Sequence, residues 1–112
     1  LYDRSGRQWM SGAVLVYDWV TEFRKKGAQY FIYVDVISRG NFLGSDKMDA
    51  QTKALWTAVR FASRQNAKYA SNVIEVSLDG TILDFNGRRD AIAAGERATQ
   101  SQLADILKAI NL

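Results

Sequence analysis

The sequence predicts an α/β fold: a layered fold with a parallel or mixed sheet flanked by helices, in the order helix–strand–helix–strand–helix. Three observations predict it. "AQYFIYVDVIS", residues 28–38, is a nearly unbroken run of apolar, β-branched and aromatic residues, which is how a strand covered on both faces reads. "NVIEVSL", residues 72–78, is a second, shorter run of the same kind. Between them lies an amphipathic stretch long enough for a helix, and parallel strands need such a crossover.

Residues 1–10 read as a loop entering the domain. From Ser11 to Lys26 two periods compete. Leu15, Tyr17, Trp19, Thr21 and Phe23 alternate like a strand, while Val16, Val20 and Phe23 keep helical spacing. The ending favours a helix: Arg24, Lys25 and Lys26 put positive charge in a last turn, and Gly27 stops it. After the 28–38 strand and the loop "RGNFLG", a helix is expected from about Asp46 to Ala70. Met48, Leu55, Val59 and Ala62 form its stripe, with Trp56 beside it. Following the 72–78 strand, Asp79-Gly80 signals a turn and "TILDF" (81–85) a short extended piece. A last helix should run from Asn86, as N-cap, to about Ile110. Ile92, Thr99, Leu103, Ile106, Leu107 and Ile110 share its apolar face. Gly95 falls on that face, where packing against the sheet or a neighbouring helix would account for a glycine.

A chain of 112 residues is enough for one core. It is expected to be a single domain or the C-terminal portion of a larger one. Leu1 stands where a methionine would start a reading frame, so processing or a longer parent protein is expected. No apolar run approaches the ~20 residues that span a bilayer. With no histidine and no cysteine, thiolate nucleophiles, imidazole bases and the usual zinc ligand sets are excluded, and no cofactor or metal is implied. Proton transfer falls to Asp, Glu, Lys or Tyr. The net charge of +3 is mild. Its clusters (Arg24-Lys25-Lys26, Arg60 with Arg64, Arg88-Arg89) read as solvated faces and helix ends, or as contacts to an anionic partner such as a lipid surface. No nucleic-acid partner is expected.

Few stretches carry chemistry. "GNFLGSDK" (40–47) lies where α/β proteins bind phosphate, with Ser45 and Lys47 at hand. Its glycines, however, are too closely spaced for a Walker loop, and capping by Ser45 or Asp46 is the simpler reading. Asp35 and Asp18 are candidates for an acid–base pair, against the simpler reading of an aspartate bonding loop amides at a strand end. Tyr30 and Tyr33 read as packing residues. No G-x-S-x-G is present.

Three stretches together resemble the patatin-like phospholipases. "KKGAQYFIYVDVIS" is similar to the family's Gly-Ala turn and Val-Asp-Val strand. "SNVIEVSLDGTILDFNGRRDAIAAGERATQSQLADIL" is similar to its closing strand, Asp-Phe dipeptide and final helix with an Ala-Gly-Glu triplet. "WMSGAV" falls where the family carries Asp-Gly-Gly or Asp-Gly-Ala. The resemblance runs from about Trp9 onward. It implies a Ser–Asp dyad that hydrolyses lipid esters: a serine in a G-x-S-x-G elbow attacks, the motif's aspartate takes its proton, and a glycine-rich loop holds the oxyanion.

Neither the elbow nor the oxyanion loop is in this chain, and Ser11-Gly12-Ala13 occupies the Asp-Gly-Ala position. Ser11 thus stands at the site of the catalytic aspartate, Gly12 and Ala13 keep its turn, and a serine hydroxyl cannot serve as a resting base. Asp3, eight residues upstream, is the alternative base. The reading that follows is the C-terminal part of a patatin-like acyl hydrolase, not competent alone. Its expected partners are a missing N-terminal hydrolase segment or a second copy of the chain, and a lipid or membrane-surface substrate. The competing reading is a non-catalytic α/β interaction module. A fragment should expose a sheet edge where further strands belong.

Overall fold

The computed structural model describes residues 2–8, 15–39, 48–78 and 85–111. Ser11, Gly12, Ala13, the 40–47 loop and residues 79–84 lie outside the described residues. The described chain is a mixture of helix and strand: α1 (Trp19–Lys25), β1 (Ile32–Asp35), α2 (Ala50–Ala67), β2 (Asn72–Glu75), a 3-10 turn (Phe85–Gly87), α3 (Arg88–Gln100) and α4 (Leu103–Ala109). β1 and β2 are parallel and adjacent, in the register Ile32–Asn72 to Asp35–Glu75, with α2 as the crossover.

α1 begins at Trp19, well after Ser11, because Asp18 caps it. The Asp18 carboxylate accepts from the Thr21 N–H at 3.0 Å and the Thr21 hydroxyl at 2.5 Å. Residues 15–17 are not helical and form no strand: the helical spacing holds only over 19–25, and Trp19, Thr21 and Phe23 of the alternating set lie in the helix. Gly27, at φ +91°, ends the helix with its N–H on the Arg24 carbonyl.

β1 is shorter than the 28–38 run. Beyond Asp35 the backbone turns, because the Asp35 carboxylate collects the N–H groups of Ile37 and Ser38, each at 2.9 Å. α2 starts at Ala50 under an Asp49 cap, which bonds Thr52 through N–H (2.9 Å) and hydroxyl (2.7 Å). Its buried face is Val59, Ala62, Ser63 and Asn66. Leu55, expected in the stripe, is 54% exposed. The face is rotated toward small and polar residues, and from it Ser63 shares a hydrogen bond with the Tyr33 hydroxyl of β1.

The last helix is not continuous. A 3-10 turn at Phe85–Gly87 replaces the extended end of "TILDF", Gly87 rather than Asn86 is the N-cap, and the helix breaks between Gln100 and Leu103. At the break the Gln102 side chain leaves the helix direction and donates from Nε2 to the Val73 carbonyl of β2 at 3.0 Å. The expected apolar face fails in α3: Ile92 is 70% exposed, and Ala94 and Ala98 pack instead against Ile74, Val76 and Ile106. Gly95 does not pack closely either. A methyl group added there would meet nothing within 4 Å.

The core is thin: Val20, Phe31, Val59, Ala62, Ile74, Val76 and Ile106 are the buried apolar residues among those described. Each large one contributes about 1.5–3 kcal/mol.

Candidate functional site

The polar features of the described chain converge on β1 and its surroundings. Asp35, at the C-terminal end of the strand, is 2% exposed and accepts from the Ser38 hydroxyl as well as from the two amides. Burial pushes its carboxyl up. Hydrogen bonds from the Ser38 hydroxyl and N–H, the Ile37 N–H and the Ser63 hydroxyl outweigh that and hold its pKa below the ordinary value. Asp35 and Ser38 therefore make a buried Ser–Asp contact, but an inert one. A carboxylate whose lone pairs are all occupied is a poor base, and Ser38, itself buried, is spent on the turn. The Arg64 guanidinium seals this turn from α2, donating to the Ser38 carbonyl at 3.3 Å.

Asp18 is nowhere near such a role. It is an exposed cap, its pKa lowered chiefly by the Thr21 hydroxyl and then the Thr21 N–H. No acid–base pair forms between Asp18 and Asp35. Asp3 is equally committed, its Oδ1 accepting from Ser5 N–H (2.8 Å), Ser5 Oγ (2.6 Å) and Arg7 N–H (2.9 Å) in a turn closed by the Tyr2–Gln8 bridge. Tyr30 packs on the Ile74–Ile106 cluster. Tyr33 lies against Trp19, ring centroids 6.0 Å apart, and its hydroxyl shares a 3.1 Å hydrogen bond with Ser63 of α2. Lys25 pairs with Glu22 at 2.8 Å, and Arg24 stands over the Phe31 ring at 5.7 Å, so the basic cluster of α1 is partly absorbed locally.

Beside β1 runs an open groove of about 440 Å³, lined by Tyr17, Trp19, Phe23, Ile32, Tyr33 and Val34, with Ser63 and Asn66 at its base. Successive strand residues point to opposite faces, yet Ile32, Tyr33 and Val34 all line this groove. It therefore lies along the edge of the strand and not over a face. The hydrogen bonds agree. The Phe31 carbonyl accepts from Ser71 and Asn72, and the Asp35 carbonyl from Val76. Alternation then turns the N–H and C=O groups of Ile32 and Val34 away from β2, toward the groove. Among the described residues no segment pairs with that edge.

Asn66 was not singled out in the sequence, and it organises one wall of the groove. It is buried in α2, and its side-chain amide makes two bonds to an extended segment. Nδ2 donates to the Leu15 carbonyl at 2.7 Å, and Oδ1 accepts from the Tyr17 N–H at 3.2 Å. A residue of a parallel neighbouring strand would bond the carbonyl and N–H flanking Val16 in this way. Asn66 thus acts as a one-residue strand. Its own carbonyl also accepts from the Trp19 indole at 3.1 Å. The segment so held is the one that leaves Ser11-Gly12-Ala13, whose own arrangement lies outside the described residues. Only an asparagine facing inward on a helix could have signalled this, and helical spacing alone does not distinguish it from a surface residue.

Comparison of the chain with protein-family models, with curated proteins and with solved structures finds no match.

Proposed function

We propose that this chain is the C-terminal portion of a patatin-like serine acyl hydrolase, with Ser11 at the position of the dyad's aspartate and with the nucleophile supplied by another segment. The observation that carries the reading is the asymmetry of the sheet. β2's outer edge is guarded at one point, where the Val73 carbonyl accepts from Gln102. Among the described residues no cap, charge or proline guards β1's outer edge, and Ile32 and Val34 beside it are 44% and 56% exposed. Val34 is the register partner of Ile74, which is buried under α3 and α4. Among the described residues one helical layer therefore covers β2 and stops short of β1, while α2 meets the other face through Tyr33 and Ser63. A layered sheet that continues past β1, with a further helix over Val34, removes both anomalies. The nucleophile-bearing half of a patatin-like domain supplies those elements. The order of helix, Val-Asp-Val strand, crossover helix, parallel strand and closing helices also supports the resemblance.

In that domain, Asn66 would fix residues 15–17, and the dyad's base would have to come from the segment that precedes them. The chemistry needs a carboxylate there, and serine supplies none. The test is reconstitution. The chain is joined to a patatin-like N-terminal half carrying the glycine-rich loop and G-x-S-x-G, and cleavage of a short-chain ester and of a phospholipid is followed. The chain alone should give no turnover above background, and the joined Ser11 form almost none. The Ser11→Asp form should be faster by orders of magnitude. A folded assembly inactive with either residue would overturn the hydrolase reading and leave an interaction module.

A further inference from the structure

We infer that β1 is an interface for a second copy of this chain, the two strands pairing antiparallel edge to edge with Ile32 of each opposite Val34 of the other. The inference starts from the same uncovered β1 edge as the hydrolase reading and concerns the chain by itself, before any added strand takes that edge.

The outward groups of the edge belong to Ile32 and Val34, as the bonds from Ser71, Asn72 and Val76 to the odd-numbered carbonyls require. In an antiparallel pair, two residues exchange both their hydrogen bonds only if both turn outward. A two-fold axis beside Tyr33 meets this condition twice, setting Ile32 against Val34 and Val34 against Ile32 within the regular strand Ile32–Asp35. It pairs β-branched aliphatic residues on one face and the two Tyr33 rings on the other, combinations that stabilise cross-strand contacts. A one-residue slip would oppose outward groups with inward ones and lose the ladder.

Charge does not oppose the approach. Asp35 is turned inward and buried, and Arg39, just past the strand, is held by Glu75 at 2.5 Å. None of the usual guards of an edge, such as an outward lysine, a proline or a bulge, occurs in residues 30–37. The area sets the strength. Half-exposed Tyr17, Phe23, Ile32, Val34 and Val36 offer roughly 300–400 Å² per chain. A stable interface takes about 800 Å² per partner, so the dimer is weak and concentration-dependent, with a dissociation constant on the order of 10–1000 μM.

Sedimentation equilibrium over that range should show the monomer giving way to a dimer. Val34→Lys, at an exposed position, should weaken association at least tenfold, whereas Ile92→Lys on α3 should leave it unchanged. The absence of cysteine allows a register test that does not depend on the lysine variant folding. Under mild oxidation, a mixture of Ile32→Cys and Val34→Cys chains should form a mixed disulfide dimer, each variant alone giving at least tenfold less. A monomer throughout, equal sensitivity to Ile92→Lys, or self-linking of Val34→Cys alone would overturn the proposed pairing. Ester hydrolysis is not read in any arm, so failure here and failure of the hydrolase reading are separable.

Discussion

Asn66→Ala removes two hydrogen bonds that tie residues 15–17 to α2 across some fifty positions of sequence, 2.7 Å to the Leu15 carbonyl and 3.2 Å to the Tyr17 N–H. A net contribution of about 0.5–1.5 kcal/mol per bond gives a local loss of roughly 1–3 kcal/mol, with a smaller addition for the vacated volume. The loss should be local first. Residues 15–17 are exposed and, among the described residues, little else holds them, whereas the Ile74–Val76–Ile106 cluster lies elsewhere and is untouched. Hydrogen exchange reads the difference directly, because the Tyr17 amide is itself one of the two donors. Its protection should fall about 10–100-fold, while the amides of β2 follow only the change in global stability measured by urea unfolding. Asn66→Asp tests the chemistry at nearly constant shape. The carboxylate keeps the acceptor for Tyr17 but turns an oxygen on the Leu15 carbonyl, so its local loss should match or exceed that of alanine. If Tyr17 exchanges in Asn66→Ala as it does in the parent, the amide acts only by filling space, and the one-residue-strand argument is wrong.

Gly95→Ala should stabilise the chain by up to about 1 kcal/mol, read as a rise in the urea midpoint, because an added methyl meets open space and the helix gains propensity. Asp35→Ala should cost roughly 2–4 kcal/mol, since it orphans the buried Ser38 amide and hydroxyl as well as the Ile37 amide. The folded-state pKa of Asp35 is lowered below its ordinary 3.8. Its contribution is therefore complete above that value and is lost as pH falls through the folded-state pKa, so Asp35→Asn should flatten the acid limb of a stability–pH curve below about pH 4. Gln102→Ala should free the Val73 carbonyl on the outer edge of β2, seen as faster self-association at high concentration.

The strands were legible because their composition is extreme, and the parallel pairing followed from the length of the crossover between them. The boundaries were not. Asp18, Asp35 and Asp49 each end or start an element by collecting nearby N–H groups with a side chain, and these caps cut the runs inside their apolar limits. An aspartate within an apolar run was the available signal at position 35, and there the simpler reading of it was the right one. The closing helix failed for a different reason. Helical spacing linked Ile92 to Leu103 across Ser101 and Gln102, but the helix breaks there, and Gln102 caps the Val73 carbonyl of β2 instead. Periodicity measures which residues can share a face, not which face finds a partner.

That distinction bears on the candidate site as well. "AQYFIYVDVIS" reads as a strand covered on both sides, and in this chain it is not: Phe31 and Asp35 are buried, while Ile32 and Val34 stand half exposed on the alternate parity. A surface strand that has adapted to water alternates apolar with polar residues, whereas β1 places isoleucine and valine where water now reaches. The composition of β1 thus fits a cover that the described residues around it do not supply. Burying the exposed halves of those two side chains would return about 1–2 kcal/mol in all, and pairing the outward backbone groups would add to it. The Ser11 position carries no such record, since serine caps turns in many proteins. Between Ser11 and the half-exposed strand, only the strand implies an energy that burial against another surface would return.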